Sequence, residues 1–551
     1  GLDRATLVHA DFSALNDADK RFVRHILAAS DRIDELYAIQ KGLPAIVDEI
    51  PADDVASRSL FRRDRGPACV LPAHEKDPRC SAIPGGVKPI VDVYPASLQQ
   101  DGKLCETIEH HKDVKALIKP FSVVREKDGK LVSVPYLEAY RAPMKAVAVE
   151  LKAAATEIAK DKTEAPLHKY LIAASKAFED GDWLPADEAW AKMSATNSKW
   201  YLRVAPDEVY WEPCSHKAGF HLTFARINRD SLAWQDKLTP VEQALETRLA
   251  VLIGAPYKAR KVTFHLPDFI DIVTNAGDDR AALGATVGQS LPNYGPVAEQ
   301  GRGRTVAMSN LYTDPDSKAS RRSIAASLLT ADSLALYTDD TTPSLFSTIL
   351  HEATHNLGPA NGYKFQGKED DEAFGGGLAA TLEELKAQTG ALWYLAWLQD
   401  KGIVTPELVK QTWLDSIVWC FGHISNGMYE QGTKPRPYSQ LSAIQIGFLM
   451  DEGAITFDPK AKAANGVDVG AFTIHLEKAP AAAEKLMKIV GEIKAKTARA
   501  AAESLTHKYV DGATIARARS ANAARWRRSN SFQVQSVVVS VTRSKKRRPA
   551  R

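Results

Sequence analysis

The residues best suited to chemistry lie between Leu345 and Pro359, in Leu-Phe-Ser-Thr-Ile-Leu-His-Glu-Ala-Thr-His-Asn-Leu-Gly-Pro, which contains His351-Glu352-x-x-His355. On a helix, side chains four apart share a face about one turn from each other, so both imidazoles can reach one ion. Zinc takes neutral imidazole nitrogen at about 2.0–2.1 Å, and a catalytic zinc keeps one position open for water. Glu352, beside the first histidine, is placed to take a proton from that water. The competing reading is a helix whose two histidines merely pack or cap.

Such a metal needs a third protein ligand. After Gly375-Gly-Gly377 comes Leu378-Ala-Ala-Thr-Leu-Glu-Glu-Leu-Lys-Ala-Gln388, helical by propensity, with Glu383 and Glu384 interrupting a largely apolar face. Adjacent helical residues point about 100° apart, so one carboxylate can ligate while the other orients a ligand histidine. Spacing alone does not say which does which, and an exposed pair on a surface helix is the alternative. The acidic run Glu369-Asp-Asp-Glu372 reads as a solvated loop. Cys105, Cys214 and Cys420 lack metal-ligand spacing, so the site is not cysteinyl.

These helices must be anchored. The apolar run Leu345–Leu350 buries the first, and Gly358-Pro359 stops it soon after the second histidine. Residues 5–48 read as helical, with Leu7, Phe12, Leu15, Phe22, Ile26, Ile33, Leu36 and Ile39 at three- and four-residue steps. Proline and glycine punctuate 49–135, where Pro89–Tyr94 looks strand-like. Residues 142–177 are again helical, and 200–229 are aromatic and strand-like. Loops and short strands fill 262–312, helices dominate 344–452, and 479–504 is a further helix.

A chain of 551 residues exceeds what one core supports. Its 44% apolar and 25% charged content is that of an ordinary globular protein. No run of 18 apolar residues is present, so no membrane span is expected. The net charge of +3 conceals an asymmetry: eleven basic and no acidic residues follow Asp511, leaving residues 1–511 at −8. That tail reads as a solvated end, and no nucleic-acid-binding motif accompanies it. The opening Gly1-Leu2-Asp3, without a basic–apolar leader, is that expected of a processed or shortened chain. Cys69 and Cys80 flank a loop rich in proline and charge. A disulfide closing it suits an exported protein, periplasmic or extracellular, with three of the five thiols left free; five free thiols suit a cytoplasmic one.

His351–His355 followed by Glu383-Glu-Leu-Lys-Ala-Gln388 resembles the dipeptidyl peptidase III family of zinc exopeptidases, in its shorter His-Glu-x-x-His form and with Gln388 where the family usually has an acid. Val209-Tyr-Trp-Glu-Pro-Cys-Ser-His-Lys-Ala-Gly-Phe220 is similar to the family's Tyr-x-Asp/Glu-Pro segment, and Gly288-Gln-Ser-Leu-Pro-Asn-Tyr294 to its Pro-Asn-Tyr segment. The resemblance covers roughly residues 195–455. It implies one zinc per chain held by His351, His355 and Glu384, with Glu352 as general base and Glu383 holding a ligand histidine. It further implies that Asn293 binds the substrate backbone, that Tyr201 donates to the developing oxyanion, and that Tyr438 falls where the family has an oxyanion-side histidine; for His423 a structural role is favoured over that of a substitute donor.

The implied fold is α+β, mainly helical, with two lobes around a wide cleft: a helical zinc-binding lobe and a lobe containing a small β-barrel. The expected regions are 1–190, helical and mixed; 191–310, strand-rich; 311–460, helical and catalytic; 461–530, helical; and 531–551, the basic tail. The implied function is a monomeric zinc-dependent peptidase that acts on short peptides and releases N-terminal dipeptides. A zinc amide or ester hydrolase of small molecules, and a catalytically silent binding protein on the same scaffold, are the alternatives.

Overall fold

Apolar side chains at helical spacing and an Asn16 cap, whose side chain accepts from Asp19 N–H, set Asp17–Gln40 (α1) as the first helix of the computed structural model of this chain. The structure describes residues 10–512 apart from 70–79, 84, 87–89, 101, 210, 265, 279–287, 311–314, 361–362, 369 and 431–433. The basic tail therefore lies outside the described residues. Among the described residues two compact units emerge, one within 1–228 and 267–314, the other within 229–266 and 315–532. The N-terminal and strand-rich regions, expected to be separate, thus form one unit, and an excursion at 229–266 joins the other.

In the first unit, α1 packs against Arg141–Ile158 (α2), which packs against Ala165–Asp180 (α3). One continuous helix was expected over 142–177. It breaks because Asp161 caps a new turn at Thr163 and Pro166, at the start of α3, has no N–H to continue the first helix. Ile90–Tyr94 forms no strand, although the Val93 carbonyl accepts from Val124 N–H.

A curled five-stranded sheet backs these helices. Its strands are Trp200–Glu208 (β1), Gly219–Ile227 (β2), Asp268–Gly277 (β3), Gly288–Leu291 (β4) and Arg304–Met308 (β5), in the order β1-β2-β3-β5-β4. β3 and β5 are parallel and the other neighbours antiparallel. The sheet curls into a half-barrel, in keeping with the small barrel expected, and β1 and β4 are its edges among the described residues.

β1 is buried on both faces, which explains its near-continuous apolar texture. Its charged residues are matched internally. Arg203 makes a two-point contact with Asp207 (2.8 and 2.6 Å) and reaches Asp187 at 2.7 Å, while His221 Nε2 lies 2.6 Å from Asp207. Burial opposes ionisation of Asp207, but Arg203 and His221 outweigh it and hold the carboxyl well below its usual range.

The second unit is helical. It contains Glu242–Ile253 (α4), Thr342–His355 (α5), Gly376–Asp400 (α6), Pro406–Ser425 (α7), Pro437–Asp451 (α8), Ala479–Ala495 (α9) and Arg499–Val510 (α10), with a hairpin of Ile455–Lys462 and Val469–Ile474 between α8 and α9. α6 is the central helix: it packs against α5, α8 and α9, and it is apolar nearly all round, as a buried helix must be. The helix expected over 479–504 is interrupted at Lys496–Ala498, where Thr497 takes a left-handed conformation (φ 47°).

Two disulfides form, Cys69–Cys80 and Cys105–Cys214, leaving Cys420 buried as a free thiol. The second bridge, 109 residues apart in sequence, carried no local signal. Thiol titration of the unreduced, denatured protein is expected to find one free thiol per chain. Three or five would contradict this pairing.

Candidate metal centre

The metal motif occupies the last turn of α5. Ala353, Thr354 and Leu350 face the core, while Glu352 and His355 remain partly exposed. α6 approaches closely because Gly390 faces Thr354: a Cβ there would lie 2.4 Å from Thr354 Cγ2. Any larger residue would push the two helices apart and separate the two histidines from Glu384.

Three acceptor atoms converge across this contact. His351 Nε2 lies 3.1 Å from both Glu384 Oε2 and His355 Nε2, and His355 Nε2 lies 3.7 Å from Glu384 Oε2. His351, His355 and Glu384 form the one metal-capable group of three or more histidine, cysteine or acidic residues among the described residues. The edge of a tetrahedron with metal–ligand bonds of about 2.0–2.1 Å is about 3.3 Å, so these spacings fit a single ion.

The other ring nitrogens fix the tautomers. His355 Nδ1 lies 2.8 Å from Glu383 Oε1, an acceptor only, so Nδ1 carries the proton and Nε2 presents a lone pair. His351 Nδ1 lies 2.9 Å from Gln388 Oε1, which accepts in the same way. Both imidazoles and the Glu384 carboxylate therefore aim lone pairs at one place. Burial opposes charge on His351, yet Glu384 outweighs it and lifts the imidazole pKa above its usual value; the same pairing lowers that of Glu384 against its own burial. The cluster favours positive charge at its centre.

Glu383 is itself clamped. Lys386 Nζ lies 3.0 Å from its Oε1, and Lys494 Nζ, from α9, lies 2.8 Å from its Oε2; both lysines are fully buried. Burial alone would raise the Glu383 pKa, but the two ammonium groups and His355 hold it well below the usual range. Lys386 also donates to the Leu357 carbonyl at 2.9 Å, tying α6 to the turn that ends α5.

The remaining expected site residues are not members of this cluster. Tyr201 belongs to the first unit and has no exposed surface; its ring packs edge-on to Trp190 and beneath the Arg304 guanidinium. That is the setting of a core tyrosine in β1, so the oxyanion role expected of Tyr201 is withdrawn. Asn293, also in the first unit, is exposed and donates to the Asp207 carbonyl at 3.2 Å. Of the Tyr-x-Glu-Pro segment, Tyr210 lies outside the described residues; Glu212 accepts from the backbone N–H groups of Cys214, His216 and Lys217. Tyr438, 42% exposed at the start of α8, packs near Trp419 and His423. Burial pulls the His423 imidazole down to about 4, leaving it neutral near pH 7. Of the acidic run, Glu369 lies outside the described residues, and Asp370–Phe374 forms a short helix rather than a loop.

Fold and site together define a mainly helical protein with a two-histidine, one-carboxylate cluster able to hold a metal in one unit and a curled half-barrel sheet in the other. The fold is that of dipeptidyl peptidase III. Structures of the enzymes from Caldithrix abyssi (TM-score 0.79, 23% identity, 98% of this chain and 97% of that one) and Corallococcus sp. strain EGB (TM-score 0.67, 22% identity, 98% and 95%) match it throughout. A curated relative, Nudix hydrolase 3 of Arabidopsis thaliana, is 26% identical over 393 residues, which make up 70% of this chain. The chain spans only about half (46%) of that relative's length. No family model matches.

Lys494→Met is expected to destabilise the protein, towards the lower end of the roughly 3–5 kcal/mol for breaking a buried ion pair, because Lys386 remains. Glu383, with its pKa depressed, contributes stability that is present above the ordinary carboxylate pKa and lost as pH falls through the depressed value. Urea unfolding at about pH 6 and about pH 3.5 should therefore show a smaller acid-induced loss in Lys494→Met than in wild type. Equal losses would mean that Lys494 does not hold the carboxylate ionised.

Proposed function

We propose that the protein is a zinc-dependent peptidase that cleaves short peptides and releases N-terminal dipeptides. The convergence of three lone pairs on one point, with both far ring nitrogens tied to acceptors, carries this reading. The dipeptidyl peptidase III fold, shared over nearly the whole chain, supports the peptide as substrate class. The name of the plant relative describes a protein about twice as long.

His351, His355 and Glu384 hold the zinc. When bound, zinc polarises a carbonyl and lowers the pKa of water towards 7. Glu352, half-exposed beside His351, takes a proton from the attacking water and passes it to the leaving amine. Glu383 keeps His355 in the ligating tautomer, and Lys386 and Lys494 keep Glu383 ionised for that task. Asn293 and Tyr438 bind substrate.

The protein acts as a monomer. Paired cysteines support an exported, periplasmic or extracellular location. No helix among the described residues is long and apolar enough to cross a membrane.

About one zinc per chain is expected, removed by chelation together with peptide cleavage. Glu352→Gln should keep its zinc and lose about 10²–10⁴-fold in turnover, read by mass-spectrometric mapping of products from a mixed peptide pool. Near-normal turnover in that variant, or full activity of metal-free wild type, would overturn the mechanism.

The two adjacent glutamates are separable by chelator competition. Glu383→Ala should lose about 10–100-fold in zinc affinity and still purify with metal. Glu384→Ala should lose far more. The reverse order would move the ligand by one residue and rotate α6 by about 100° relative to this assignment.

A further inference from the structure

The turn that closes the metal helix, Asn356-Leu357-Gly358, is gripped by a set of side chains that no ligand or proton-transfer role explains. Glu246, on α4 and fully buried, accepts the Gly358 N–H at 2.7 Å through Oε2. Its Oε1 accepts the Arg260 backbone N–H at 3.1 Å and lies 2.7 Å from Tyr257 Oη. Tyr257 Oη is also 2.8 Å from the Gly358 carbonyl oxygen, so its single proton serves one of these acceptors at a time. Arg260 Nη2 donates to the Asn356 carbonyl at 2.6 Å.

The turn needs this grip. Gly358 is left-handed (φ 65°), and a Cβ there would lie 2.6 Å from Leu249 Cδ2, so α4 presses directly on it. The turn takes up carbonyls of the last helical turn, Asn356 N–H donating to Ala353 and Leu357 N–H to Thr354, and its own buried carbonyls must find partners outside the helix. Here those of Asn356, Leu357 and Gly358 meet Arg260, Lys386 and Tyr257 in turn. His355 is the last residue of α5, one position before this turn. Fraying of the last turn would swing its imidazole away from Glu384, whereas His351 lies a full turn deeper. A helix terminus is ordinarily the most mobile part of a helix, and ligand atoms must be held within about 0.5 Å.

We propose that Glu246, acting with Tyr257 and Arg260, is a positioning residue for the metal centre: it clamps the turn Asn356–Gly358 so that His355 stays aimed at the ion. The clamp rests on the zinc reading above. It acts on the backbone, and therefore differs from the Glu383–lysine clamp, which acts on the imidazole. Glu246→Gln keeps size and one acceptor oxygen but loses the charge and the second acceptor; Tyr257→Phe removes a single hydroxyl and serves where Glu246→Gln folds poorly.

The test compares zinc affinity, by chelator competition well below the unfolding temperature, with the thermal midpoint of the metal-free protein. The reference variant is Leu441→Ala, a buried core truncation on α8. Glu246→Gln is expected to lose about 10–100-fold in zinc affinity, and Tyr257→Phe less, with peptide turnover falling while KM is retained. Leu441→Ala should lower the thermal midpoint and leave zinc affinity unchanged. If Glu246→Gln and Tyr257→Phe lower the midpoint as Leu441→Ala does but bind zinc like wild type, the residues are merely structural and the proposal fails. Failure of the underlying reading looks different: wild type itself would take up no zinc, and His355→Ala would match it.

Discussion

Two imidazole nitrogens and a carboxylate oxygen, all presenting lone pairs within 3.7 Å of one another, repel unless positive charge lies between them. Much of the second unit serves to impose that arrangement. Glu383 and Gln388 accept from the far ring nitrogens and thereby forbid the tautomers in which the histidines would donate to each other or to Glu384. Two buried ammonium groups then hold Glu383 ionised, so that it can only accept. A buried carboxylate with one imidazole partner would be tempted to take a proton; with two lysines it is not.

The constraint propagates outward as packing. The histidines of α5 and Glu384 of α6 meet only if the two helix axes approach closely, which requires Gly390 opposite Thr354. α6 is apolar nearly all round because α5, α8 and α9 surround it, and α9 must end where Lys494 can reach Glu383. The two histidines on α5 are secured unequally. His351 is buried within the helix body, whereas His355 sits at the terminus and depends on contacts made by α4, α6 and the segment around Tyr257.

What was legible in the sequence follows from how local each signal is. His351, His355 and the Glu383–Glu384 pair announce themselves through spacing on single helices, and the resemblance they carry to dipeptidyl peptidase III is borne out at the level of fold. Gln388 was visible too, five residues after Glu383 and four after Glu384, but its partner nitrogen was not. Lys494 was invisible: it reads as one more basic residue in an alanine- and lysine-rich helix, and only packing of α9 on α6 gives it meaning. The Cys105–Cys214 bridge was hidden for the same reason. Tyr201 misled because aromatic texture near a motif does not distinguish a side chain facing substrate from one sealed between Trp190 and Arg304. Helix breaks at Pro166 and Thr497 were local, yet alanine-rich flanks with continuous periodicity masked them.

The first unit holds a second buried charged cluster, and the contrast with the metal centre separates structural from functional burial. Around Arg203, donors and acceptors balance: the guanidinium engages Asp187 and both oxygens of Asp207, and His221 completes the set. Every charge faces its opposite, so no exogenous ion is called for and the cluster locks β1 to β2 and to Asp187. Around His351 the balance fails by design. The donors are spent outward, on Gln388 and Glu383, and what remains in the middle is three acceptors. Counting charged residues would rate the two clusters alike. Assigning each proton to an atom distinguishes them, because an arrangement that leaves only lone pairs facing inward attracts a cation to its centre.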